Sequence, residues 1–230
     1  MKFLEKILEA DSELFLFFNS FHNDFWDTIM LMITRKETWI PFFMVILYFI
    51  FKNFKNKWWL PVIFAGLTIL LSDQLSVLLK ETIQRLRPVH DPEIQHMVHN
   101  VLRKGGLHSF VSSHAANGFA LFVFTSRLFS NRSYKTLLLL WALLFSYSRI
   151  YCGMHYPLDI IGGALLGWLI AVLTHKLMMF IENHFFIARR PKIEKAGLKP
   201  QQAGLVFLVF LVLSASVVIT TYILHHFNYL

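Results

Sequence analysis

Long unbroken apolar blocks, rather than stripes recurring every third or fourth residue, dominate the hydropathy pattern of this chain. A helix crossing bilayer hydrocarbon takes about 20 mostly apolar residues, fewer where its ends are embedded in protein. On that rule spans fall near 36–53, 58–80, 114–130, 135–151, 157–181 and 204–225. Blocks without alternation select helices over a β-barrel. Residues 3–33 break the pattern, mixing Phe15, Phe17, Phe18, Phe21, Phe25 and Trp26 with acids and His22. They predict interfacial or packing helices, a re-entrant or extra spanning segment being the alternative. The expected fold is all-α: a polytopic transmembrane helical bundle of about six spans, with residues 1–35 as N-terminal interfacial helices and 36–230 as the transmembrane domain.

Composition supports this. Over 230 residues, 56% are hydrophobic and 16% charged, with mean hydropathy +0.52, more apolar surface than one soluble core of this size hides. A net charge of +8 would suit nucleic acid, but the basic residues sit beside apolar runs and form no soluble basic domain, so nucleic acid is not an expected partner. The single Cys152 excludes an intramolecular disulfide framework and a zinc thiolate set. Acids at Glu5, Glu9, Asp11 and Glu13 interrupt the basic start, and no small-residue cleavage site follows, so no cleaved signal peptide is expected. Most of the six tryptophans fall near span ends, where interfacial anchors belong.

Lysine and arginine orient the bundle. Lys52, Lys55 and Lys57 fill one connection, Arg127, Arg132 and Lys135 a second, and Arg189, Arg190, Lys192, Lys195 and Lys199 the 183–203 linker. The positive-inside rule makes these cytoplasmic and turns loops 81–113 and 152–156 outward. Residues 89–111 are too long for a simple turn and read as an outer loop over a site.

Three polar clusters lie at that outer face, where charge near lipid signals function. In the first, Lys80 and Arg87 are seven apart; a continuous helix would place them on one face about 10 Å apart, and Pro88 turns Arg87 out of helical geometry. Snorkelling at a helix end accounts for the pair equally well. In the second, Ser112-Ser113-His114 opens an apolar run, the place of an N-cap whose free N–H groups seat anions. Taken singly, a serine cap and an interfacial histidine are the commoner explanation. In the third, Ser148-Arg149 precedes His155, with Asp159 four residues later and Pro157 at a first helical position. That carboxylate can reach one ring nitrogen of His155 and leave the other as nucleophile or base, or the pair can simply cap a helix. Asp73, mid-span, is expected to be satisfied by Ser72, Gln74 and Ser76, and His96 and His99 to be solvated.

Taken in order, the clusters resemble the type 2 phosphatidic acid phosphatase superfamily, whose signature is K-x6-R-P, P-S-G-H and S-R-x5-H-x3-D. The first and third parts are present in full; the second reads Val111-Ser112-Ser113-His114, without the proline and glycine. The resemblance implies a metal-independent, cofactor-free phosphatase. His155 would form a phosphohistidine, Asp159 orient it, and His114 protonate the leaving oxygen. Lys80, Arg87, Ser112, Ser113 and Arg149 would hold the phosphate. It also implies a membrane-borne phosphorylated lipid as substrate, at the periplasmic face of a bacterial inner membrane. Undecaprenyl diphosphate is the first expectation, ahead of phosphatidylglycerophosphate, phosphatidic acid and lipid A 1-phosphate, because its recycling needs a small outward-facing phosphatase. A lipid or anion transporter using the same cations is the rival, and nothing in the sequence speaks to oligomeric state.

Overall fold

The computed structural model describes residues 2–102, 105–185 and 198–227. Eight helices follow one another in these segments: α1 (Lys2–Asn19), α2 (Asp24–Thr34), α3 (Ile40–Phe54), α4 (Trp59–Ile83), α5 (Ser113–Leu128), α6 (Arg132–Tyr151), α7 (Pro157–Phe185) and α8 (Pro200–His226). Their ends follow local chemistry. Asn23, Ser112 and Asn131 cap α2, α5 and α6 by accepting the amides of Trp26, Ala115 and Tyr134. Pro157 and Pro200 open α7 and α8, where a missing N–H costs nothing. Gln84, at a left-handed φ of 54°, stops α4 and returns its N–H to the Lys80 carbonyl.

α3 to α8 alternate in direction. At one end Lys57 meets Glu182, Gln202 meets Asn53 and Asn131 reaches the Leu198 carbonyl. At the other, α1 and α2 pack across the bundle, with Asn19 bonded to the carbonyls of His99, Ile150 and Tyr151, and His225 of α8 against Asp24. Arg189, Arg190, Lys192 and Lys195 of the basic linker, with Arg103 and Lys104 of the outer loop, lie outside the described residues.

Four stretches are long and apolar enough to cross a membrane: Lys36–Lys57, Trp59–Ile83, Pro157–Phe185 and Pro200–His226. The other two expected spans become α5, of 16 residues, and α6, of 20. α5 differs because it is interior, whereas α6 buries one flank and exposes Leu140 and Leu143 on the other. α5 packs against α4, α6 and α7, so protein replaces lipid around it and lipid-facing hydrophobicity is not required. A Cβ at Gly163 would sit 2.5 Å from the Ser112 carbonyl oxygen, and one at Gly167 would collide with the Ala116 carbonyl. These glycines therefore let α7 approach α5 closely.

Trp39 departs from the interfacial placement and joins the mid-span Trp141 inside the bundle. Both are buried, joined with Phe42, Phe145 and Phe210 in an aromatic core. α1 reverses the arrangement of a soluble helix: it buries Asp11, Phe15 and Asn19 and exposes Phe3, Leu4, Ile7, Leu8, Leu14 and Phe17. That pattern suits a helix whose outer surface meets lipid.

Candidate active site

Each cluster is delivered by a helix end. Lys80, in the last turn of α4, donates from Nζ to the Val111 carbonyl and to Ser113 Oγ at 2.8 Å, while Ser113 Oγ lies 2.6 Å from Ser76 Oγ. Arg87 does not share a helix face with Lys80. α4 has already stopped at Ile83, and Arg87 is extended before Pro88, as the proline demands. Its N–H donates to the Leu107 carbonyl at 3.0 Å and its Nε to the His108 carbonyl at 3.1 Å. Gly105, at φ 65°, packs so close that a Cβ there would stand 2.5 Å from Arg87 Nη1. The returning arm of the 89–111 loop thus cradles this guanidinium.

Ser112 caps α5 and gives its own N–H to the Asp159 carbonyl at 3.0 Å. Next to it, His114 stacks on Phe145, with ring centroids 5.0 Å apart, and lies within electrostatic reach of Arg149, His155 and Lys80. Arg149, buried in the last turn of α6, donates from Nη1 to Thr34 Oγ1 at 2.9 Å. Its Nε has no hydrogen-bond partner among the described residues.

His155 is 2% exposed and Asp159 fully buried. Nδ1 of His155 stands 3.4 Å from Asp159 Oδ2, close enough for an ion pair, yet without the geometry of a hydrogen bond. The carboxylate is shared: Oδ2 accepts the Tyr156 N–H at 2.9 Å and Oδ1 accepts Arg85 Nη1 at 3.2 Å. Burial holds the His155 pKa well below the usual histidine range, and the charges of Arg149, Arg87 and Lys80 push it the same way. The ring is therefore neutral at neutral pH, the form in which an imidazole is nucleophilic.

All eight residues named from the sequence gather at this end. Among the described residues, none of Lys80, Arg87 and Arg149 has a carboxylate at ion-pair distance. The available acids, Asp11 and Asp159, are both taken by Arg85.

Three neighbours escaped the sequence reading. Arg85 lies inside the variable stretch of K-x6-R-P, Asp11 is 74 residues away from it, and Thr34 ends α2. No spacing rule ties them to the clusters. Two expectations are corrected. Asp73 is satisfied by Asn117 Nδ2 at 3.2 Å from α5, since Ser72, Gln74 and Ser76 point elsewhere. His99 is stacked on His22 at 3.6 Å and bonded to Asp27 at 2.8 Å, because α1 and α2 fold over the outer loop, whereas His96 is exposed.

The chain matches the family model described as the PAP2 superfamily over residues 61–183. It is 41% identical to a lipid A 4′-phosphatase of Bacteroides thetaiotaomicron, over 78% of this chain and 84% of that protein. It is 29% identical to the undecaprenyl-diphosphatase BcrC of Bacillus subtilis, over 67% of this chain and 76% of that protein. The crystal structure of Aquifex aeolicus LpxE superposes with a TM-score of 0.55 at 31% identity, covering 71% of this chain and 93% of that one.

Proposed function

Because the chain belongs to the PAP2 superfamily and is a multi-pass membrane lipid phosphatase, we propose that it removes a phosphate monoester from a lipid A-type phosphoglycolipid through a phosphohistidine on His155. The reaction takes place at the periplasmic face of a bacterial inner membrane. This reading replaces undecaprenyl diphosphate, the first expectation from the motifs. Support for the change is the 41% identity to a lipid A 4′-phosphatase against 29% to an undecaprenyl-diphosphatase. The motifs could not make that distinction, because they contact phosphate and not the rest of the lipid.

The observation that carries the mechanism is the set of three cations with no carboxylate at ion-pair distance among the described residues, beside a buried neutral imidazole. Buried charge of one sign is costly until a counter-ion arrives, and a phosphate dianion fits two guanidinium forks and an ammonium. The His155 nitrogen facing away from Asp159 attacks phosphorus, the P–O bond to the sugar breaks, and His114 protonates the departing oxygen. Water, deprotonated by His114, then attacks the phosphohistidine; the P–N bond breaks and inorganic phosphate leaves. Lys80, Arg87 and Arg149 hold the equatorial oxygens with the N–H groups of Ser113 and His114 at the start of α5. The side chains of Ser112 and Ser113 act one step back, capping α5 and orienting Lys80. The fixed cations supply the charge stabilisation that phosphoryl transfer requires, so no metal ion takes part.

Purified protein in detergent, with chelator present, tests this against lipid A bearing 1- and 4′-phosphates, undecaprenyl diphosphate and phosphatidylglycerophosphate side by side. Lipid A is expected to lose one phosphate as inorganic phosphate. Faster release from undecaprenyl diphosphate would overturn the substrate, and binding without any release would favour a transporter. In sealed cells, an external protease should cut the 89–111 loop and spare 183–203; the reverse would place the site in the cytoplasm.

A further inference from the structure

We propose that Asp11, on the N-terminal helix α1, is a positioning residue for this reaction: it holds Arg85 and the first turn of α7 so that Asp159 stands against His155. The inference rests on the assignment of His155 and Asp159 made above. Asp11 is 5% exposed and both its oxygens are used. Oδ2 accepts Arg85 Nη2 at 2.7 Å, and Oδ1 accepts the Leu158 N–H at 2.9 Å.

That second bond is a helix cap supplied from another helix. Leu158 lies in the first turn of α7, whose N–H groups have no partner within the helix. A carboxylate there also meets the positive end of the helix dipole. Asp159 is the next residue, so the grip on Leu158 fixes the backbone that carries the carboxylate facing His155.

Arg85 makes the grip two-handed. Its Nη1 reaches Asp159 Oδ1 at 3.2 Å while Nη2 stays on Asp11, and its Cζ lies 3.8 Å over the Tyr156 ring. Tyr156 is fixed in turn by its hydroxyl on Asp91 Oδ2 at 2.8 Å, and its N–H holds Asp159 Oδ2. Two carboxylates therefore share one guanidinium. Removing the charge of Asp11 leaves Arg85 to Asp159 alone and frees the first turn of α7, and both changes draw the carboxylate away from His155.

Packing alone does not explain an acid at this position. The next inward residue of α1, Phe15, docks edge-on against Tyr156 with centroids 5.4 Å apart, which is how an apolar anchor holds the helix. A buried carboxylate costs free energy that a leucine would not, and its hydrogen bonds among the described residues go to the guanidinium and amide that set Asp159.

The test uses the full chain in detergent with lipid A as substrate, measuring kcat, KM and Tm for Asp11→Asn, Arg85→Gln, their double variant, Arg85→Lys, Glu13→Gln and His155→Gln. Asp11→Asn is expected to lower kcat about tenfold, within the range for residues that orient an active group, with KM changed less than about twofold. The double variant should lose less than the product of the two single losses, because Asp11 and Arg85 share one contact while the Leu158 bond belongs to Asp11 alone. Arg85→Lys keeps the charge but cannot bridge two carboxylates, and should reproduce the loss in kcat even where Asp11→Asn folds poorly. Glu13→Gln, exposed on the same helix, should match the wild type. The proposal is overturned if kcat per folded molecule is unchanged in both Asp11→Asn and Arg85→Lys, or if the losses multiply in the double variant. Turnover surviving in His155→Gln would instead remove the site assignment itself; a dead His155→Gln with unchanged Asp11→Asn and Arg85→Lys removes the role of Asp11 alone.

Discussion

At one end of the bundle Lys57 meets a buried Glu182 at 2.5 Å; at the other, Lys80, Arg87 and Arg149 surround His155 with no carboxylate at ion-pair distance among the described residues. Both ends bury charge near lipid, but only the first balances it. The paired end joins the α3–α4 turn to α7 and serves the fold. In the proposed mechanism the unbalanced end gives up stability to keep a place for an anion, as a site for phosphoryl transfer must.

The largest test of that contrast is His155→Gln. Removing the nucleophile should cost on the order of 10⁴-fold or more in phosphate release, with the protein still folded and extracted as the wild type. Residual turnover within tenfold of wild type would show that the imidazole is not the attacking group.

Arg149→Lys comes next. It preserves the charge but discards the planar fork, and kcat/KM should fall by about 10²-fold. If lysine sustains full activity, the position contributes only bulk charge.

Lys57→Met should do the converse. Taking the ammonium away from the buried Glu182 is expected to lower Tm by the equivalent of up to about 3 kcal/mol, while kcat/KM at a permissive temperature stays at the wild-type value. An equal loss of activity would mean that the two ends are coupled rather than distinct.

The smallest effect is on stability against pH. His155 has a folded pKa depressed below its unfolded value of about 6.5, so below that pH the unfolded chain binds the extra proton. Stability should then fall on acidification, by at most about 1.4 kcal/mol per pH unit from this residue. Melting curves of wild type and His155→Gln should diverge less steeply once this titration is removed. A wild type that gains stability relative to the variant as pH drops would mean that the folded imidazole is charged.

Much of the site was legible because its residues sit where helices start and stop. Ser112 as cap, Pro157 as first helical residue and Pro88 as the reason for an extended Arg87 are local facts, fixed by backbone chemistry within a turn. The apolar blocks located α3, α4, α7 and α8 for the same reason. Trp39 differs from the interfacial expectation, since a position near the end of an apolar run does not say whether lipid headgroups or another helix lies opposite.

The sequence by itself determined the helical class, the helix ends and the inventory of cations, imidazoles and carboxylates, because these follow from hydropathy and from interactions a few residues long. Only the tertiary structure decided how the charges are shared: that Arg85 takes both Asp11 and Asp159, that Thr34 meets Arg149, and that Lys80, Arg87 and Arg149 have no carboxylate at ion-pair distance among the described residues. Those pairings join residues 74 to 115 positions apart. Pairing at such range depends on which helices pack side by side, and the close approach of α5 and α7 across Gly163 and Gly167 is part of what sets it.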